Sequence, residues 1–214
     1  MSASEKEQIE AIQKWWKENG SSIITGLLLG VSILVGGKAW FSYQDTQALN
    51  ASNIYSGMMT ASQGGNPEEA RARANRLIGD YTGSAYAPLA ALMLARLAVQ
   101  EGELPAAQAQ LQWALDHAES FEVRHEARLR LVRVLIAQQQ YEQAGQVLAA
   151  VTDPGAYAYL YAELEGDVAV AEGKPEKAVL AYKKALETLP PQALNQAYLT
   201  AKYEDVRGAG TAAE

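Results

Sequence analysis

The chain has 214 residues, a formal net charge of −7 with 20% charged residues, and no cysteine. The acidic balance, with no basic stripe or stacking motif, argues against a nucleic-acid partner. Zero cysteine excludes disulfides and a lipid-modified N-terminal thiol, so stability must come from packing.

Residues 1–18 read as a short charged tail containing Lys6, Lys14 and Lys17. Nineteen positions without a charge follow, residues 19–37, bracketed by Trp15-Trp16 on one side and Trp40-Phe41 and Tyr43 on the other. As a helix this run is roughly 28 Å long, close to the hydrocarbon thickness of a bilayer, and the aromatic residues suit its two interfaces. It is too long for a cleaved signal core. The candidate cleavage region, Gly36-Gly37-Lys38-Ala39, carries a lysine and runs into bulky aromatic residues. No other segment is apolar on all faces, so nothing could surround it as a buried core helix. Residues 19–41 are therefore assigned as a single transmembrane helix. Three lysines precede it, only Lys38 follows nearby, and the first arginine is Arg71. That asymmetry predicts a cytoplasmic N-terminus with the rest of the chain on the far side. Ser22, Gly26, Gly30 and Gly37 fall on one face of the span, where small side chains would let another membrane helix dock closely.

From residue 42 to 207 the pattern is helical throughout. Short breaks at Gly64-Gly65-Asn66-Pro67, Gly83-Ser84, Glu101-Gly102-Glu103, Asp153-Pro154-Gly155, Gly173-Lys174-Pro175 and Pro190-Pro191 separate the helices. Glycine ends helices and proline opens them, so several of these are helix–turn–helix joints. The joints also repeat. Ala70, Ala107 and Ala178 follow three of them and Ala144 follows Gln139-Gln140-Tyr141-Glu142-Gln143, at spacings of 37, 37 and 34 residues, periods that indicate stacked helix pairs.

The residues around these alanines resemble the tetratricopeptide repeat. Small Ala95 and Gly166 precede them, large Leu111, Leu148 and Tyr182 follow, and Ala114 and Ala185 return to small; Val132 and Val151 depart from that pattern. The expected fold is all-α: one transmembrane helix followed by a tetratricopeptide-like solenoid, with a capping helix at 192–206 and a disordered tail at 208–214. In repeats of this type the first helix of each pair lines a concave groove. The resemblance assigns Leu92, Arg96 and Val99 to it, then Leu129, Arg133 and Ile136, then Glu163, Asp167 and Val170. That surface would be apolar with a basic and an acidic end, suited to a peptide. Tyr157, Tyr159 and Tyr161 alternate, so at least one is expected to be exposed.

No catalytic reading emerges. His117 and His125 are the only histidines, and neither faces its acidic sequence neighbour on a helix. Phosphate-loop, nucleophile-elbow and zinc-protease motifs are missing, so the chain is expected to be no enzyme and to need no cofactor or metal.

Anchor and repeats together resemble the YfgM-like ancillary subunits of the SecYEG translocon. Lys14-Trp15-Trp16-Lys17-Glu18-Asn19-Gly20, Gly26-Leu27-Leu28-Leu29-Gly30-Val31, Trp40-Phe41-Ser42-Tyr43-Gln44, Leu111-Gln112-Trp113-Ala114-Leu115, Leu129-Arg130-Leu131-Val132-Arg133-Val134 and Glu165-Gly166-Asp167 carry that resemblance. It implies a bacterial inner-membrane protein with periplasmic repeats. Its implied partners are SecYEG, the periplasmic chaperone PpiD and unfolded client polypeptides, in a role passing emerging chains to chaperones. The alternative is a membrane-tethered regulatory scaffold or sensor in envelope stress signalling, for which the short tail carries no evident motif.

Overall fold

The computed structural model describes residues 3–211. Its elements are α1 (Ala3–Gln63), α2 (Pro67–Asp80), α3 (Tyr86–Gln100), α4 (Leu104–His117), α5 (Phe121–Ala137), α6 (Tyr141–Ala149), a 3-10 turn (Gly155–Tyr157), α7 (Ala158–Ala171), α8 (Pro175–Glu187) and α9 (Gln196–Thr211). Among the described residues no strand occurs. The chain forms two compact units, Met1–Asn50 and Ala51–Glu214, and α1 supplies residues to both.

In the first unit, α1 has a stretch of mean hydropathy 1.8, only 6% buried, long and apolar enough to cross a membrane. Leu27, Leu28, Ile33, Leu34, Trp40 and Phe41 are all exposed there. Trp16 folds over Gly20, where an added Cβ would lie 3.2 Å from the indole.

The second unit alternates helices in antiparallel pairs, each packing on the next: α2 on α3, α3 on α4, α4 on α5, α5 on α6, α7 on α8 and α8 on α9. The four recurring alanines explain why. Ala70, Ala107, Ala144 and Ala178 have no exposed surface, and each sits where two helices cross too closely for a longer side chain. Leu111 and Tyr182 are buried beside them. At Gly166 an added Cβ would run into the Tyr182 ring, so the α7–α8 crossing needs glycine. Packing forms three cores: the end of α1 with α2 and α3, the centre of α3 to α7, and α7 with α8 and α9.

The same backbone device ends the first helix of every pair. Gly65, Gly102, Gln139 and Gly173 have φ of 72°, 79°, 60° and 71°. Each donates its N–H to the carbonyl three residues back, and the next residue donates to the carbonyl five back: Gly102 to Val99 and Glu103 to Ala98, Gln139 to Ile136 and Gln140 to Leu135, Gly173 to Val170 and Lys174 to Ala169. These are Schellman closures, in which a left-handed residue satisfies the last carbonyls of the helix. Asn66 then caps α2 by accepting from the Glu69 N–H at 3.2 Å, and Ser120 caps α5 by accepting from the Val123 N–H at 3.4 Å.

Two local expectations change. The terminal helix begins at Gln196 rather than 192 and runs through Thr211, so residues 208–211 of the expected disordered tail are helical; residues 212–214 lie outside the described residues. Tyr161 is buried, while Tyr157 and Tyr159 are both half-buried, so none of the three is fully exposed. Tyr157 escapes the helical spacing because it ends the 3-10 turn before α7.

Gln139 alone fills the left-handed closure with a side chain, a conformation that costs a non-glycine residue about 1 kcal/mol. Gln139→Gly is expected to raise stability by about that amount and Gly102→Ala to lower it similarly. Urea unfolding of the full chain in detergent, followed by circular dichroism, measures both.

Candidate partner-binding groove

The first helices of the second and third pairs, α3 and α5, stand side by side over the start of α4. Apolar residues at helical spacing bury one face of each. The residues one turn away are left at the rim of an open groove of about 550 Å³. Its floor is Ala95, Leu104, Leu111 and Val134, and Arg96, Val99, Arg130 and Arg133 line its walls. Arg130 donates to Glu126 Oε1 at 2.6 Å. Arg96 and Arg133 are exposed.

Arg96, Val99 and Arg133, which the tetratricopeptide resemblance assigned to one groove, are brought together here. Leu92 and Leu129 are not groove residues: both are buried in the central core, and Ile136 packs against it from outside. The assignment treated each first helix as one uniform face, whereas here the leucines turn inward and the arginines outward. The resemblance did not single out Arg130, although it stands one turn before Arg133 and so shares its face.

The expected acidic end is occupied by the chain itself. Lys202 of α9 donates to Glu163 Oε1 at 2.7 Å and to the two Asp167 oxygens at 2.8 and 2.9 Å. The Tyr182 hydroxyl donates to Asp167 Oδ1 at 2.7 Å, and the Lys202 ammonium lies 4.7 Å from the Tyr198 ring centre. Glu163 is buried, with Asn195 Nδ2 donating to its other oxygen at 3.4 Å. Burial alone would lower the Lys202 pKa; hydrogen bonds and charge from Asp167 and Glu163 outweigh it and hold it above its usual value. Burial, then the Asp167 bond, push the Tyr182 phenol far up. Glu163 and Asp167 are therefore part of an ion cluster that docks α9, and Val170 stands exposed outside the groove.

His125 is the other buried polar group, and it serves packing. Its ring stacks on Tyr157 at 4.6 Å, meets Phe121 edge-on at 4.0 Å, and its Nδ1 is hydrogen-bonded with the Tyr161 hydroxyl at 2.6 Å. Burial first, then Arg128 and Arg124, lower its pKa against the opposite pull of Asp153 and Glu122. Among the described residues no group of three His, Cys, Asp or Glu side chains could hold a metal.

In the first unit, Ser22, Gly26 and Gly30 lie open on one face, and a Cβ at either glycine would meet nothing within 4 Å. Gly37 shares that face. At about 100° per residue, so does Ile33, which is exposed between Gly30 and Gly37 and breaks the stripe. The continuous smooth run is residues 22–30.

Comparison with known proteins matches a tetratricopeptide repeat-like domain to residues 13–208. The ancillary SecYEG translocon subunit of Escherichia coli (strain K12) is 31% identical over 193 residues, covering 90% of this chain and 92% of that protein. Its namesake in Neisseria gonorrhoeae is 26% identical over 206 residues, covering 95% of this chain and 97% of that protein. Among solved structures, the MamA RS-1 ArsTM double mutant shares the fold, with a TM-score of 0.54 and 18% identity over 77% of this chain and 96% of that one.

Lys202→Met leaves two carboxylates facing each other unpaired and is expected to cost about 3 kcal/mol, with α9 becoming the first site of limited proteolysis. Adding Glu163→Gln and Asp167→Asn should restore most of the loss. His125 carries a separate pH signature. Because the fold favours its neutral form, the unfolded chain takes up the proton first as pH drops below about 6.5. Its contribution is intact above that pH and declines below it, so His125→Phe should flatten the fall in stability between about pH 7 and 5, read by thermal unfolding.

Proposed function

The chain belongs to the family of ancillary SecYEG translocon subunits built on a tetratricopeptide repeat-like domain, and from that premise we propose that it is a membrane-anchored interaction module working beside the translocon. The observation that carries this reading is the reach of the family match, from residue 13 to 208, which takes in the charge-free run as well as the repeats. An anchor and a scaffold are therefore shared together, not a repeat domain alone. The anchor holds the protein in the inner membrane, and the smooth run at residues 22–30 offers a face for a neighbouring membrane helix. The lysine asymmetry supports a cytoplasmic N-terminus and a periplasmic repeat domain.

On the periplasmic side the groove between α3 and α5 is the surface for partners. Its aliphatic floor and arginine walls suit a short stretch of polypeptide, and its open mouth needs no rearrangement to admit one. Placed at the exit of the translocon, it would help pass emerging chains to a periplasmic chaperone of the PpiD type. The role is non-catalytic: what the arrangement can do is bind.

Photocrosslinkers placed at Gly26 and Gly30 test the anchor, with exposed Leu28 on the opposite face as control. Adducts to translocon subunits from the glycines but not from Leu28 are expected. Equal labelling from all three positions would remove the docking face, and no translocon adduct from any of them would overturn the placement.

A further inference from the structure

The groove is basic in a chain whose formal net charge is −7, and that contrast points to its occupant. Of its three arginines, Arg130 is held by Glu126. Arg96 and Arg133 are exposed and have no hydrogen-bond or ion-pair partner among the described residues. A peptide with charges of both signs would find only one end of the expected bipolar surface, because Lys202 already covers Glu163 and Asp167. Between the arginines lies aliphatic surface, Leu104, Leu111, Val134 and Val99.

We propose that this groove takes a short acidic–aliphatic segment of a partner polypeptide. Carboxylates of the segment accept hydrogen bonds from the Arg96 and Arg133 guanidinium groups, whose planar forks match a carboxylate with two parallel bonds. An aliphatic side chain of the same segment covers the floor and shields those bonds from water, which strengthens them. A nucleic-acid strand is disfavoured, because no aromatic ring lines the groove to stack a base. This inference rests on reading the groove as the partner surface and adds the chemistry of what it selects.

The test uses the full chain in detergent micelles and three C-terminally amidated peptides labelled with an uncharged fluorophore. In each, leucines are interspersed with a second residue: glutamate in one, glutamine in another, lysine in the third. With the C-terminus amidated and the fluorophore uncharged, side-chain carboxylates are the only anionic groups of the probes. The glutamate peptide is expected to bind about tenfold or more tightly than the other two, and the R96Q/R133Q variant to lose that preference, with an unchanged thermal midpoint. R76E, on α2 and away from the groove, should bind like the wild type. Should R96Q/R133Q fail to fold, salt decides on the wild type: raising it from about 50 mM to 0.5 M should weaken the glutamate peptide and spare the glutamine one. Equal affinity for all three peptides, or a preference for glutamate that survives R96Q/R133Q, would overturn the proposal. Copurification of the variant with the translocon from membranes reads the anchoring role separately, so either reading can fail without the other.

Discussion

Everything in the second unit depends on how closely successive helices approach. A helix pair can bring its backbones together only where side chains are small, and this chain provides that place once per repeat, at Ala70, Ala107, Ala144 and Ala178, each with no exposed surface. The large neighbour, Leu111 or Tyr182, then fills the groove beside the crossing, and the left-handed closure at Gly65, Gly102, Gln139 or Gly173 turns the chain into the second helix. One crossing repeated places α3 and α5 side by side with α4 beneath, and the site exists because of that spacing.

A stack of helix pairs must also stop, and how it stops decides the polarity of its concave side. The last pair exposes a face that a further repeat would have covered, and α9 covers it instead. Leu199 is fully buried there, while Lys202 reaches Glu163 and Asp167. Removing these charges from water is costly, and the cluster offsets that cost by satisfying each carboxylate several times, from Lys202, Asn195 and the Tyr182 hydroxyl. The consequence reaches beyond stability: the acidic end of the groove is closed by the protein's own cap, and the arginine end alone stays open.

These two features differ in how far the sequence reveals them. The repeat is legible because it is local: a joint residue, glycine in three repeats and Gln139 in the other, then an alanine five residues on, recurs at a spacing that can be counted. The groove is half legible. Arg96, Val99 and Arg133 follow from position within the repeat, but whether Leu92 and Leu129 point into the groove or the core depends on the rotation of each helix about its axis, which packing fixes. The α9 latch joins residues 35 and 39 positions apart that share no motif, so no period announces it. The charged sequence neighbours of His125 give no sign that it is core; the 3-10 turn that brings Tyr157 onto its ring makes it so.

An arginine groove on an acidic protein also sets the range at which it can act. At physiological ionic strength charges are screened over about 8 Å. Beyond that distance a carboxylate-bearing segment meets the weak repulsion of a chain at −7, not the attraction of two or three arginines. Long-range steering cannot be the source of selectivity here, as it is for proteins whose whole surface carries the attracting sign. Under the proposed reading the groove would discriminate only once a segment is within a few ångströms, and partners would have to be delivered by other means. A membrane anchor would supply that delivery, because confinement beside a fixed partner raises the effective concentration without any new contact. Under that proposal, short-range recognition and a tether would be complementary: the tether would make the encounter frequent, and the screened groove would let a bound segment leave again.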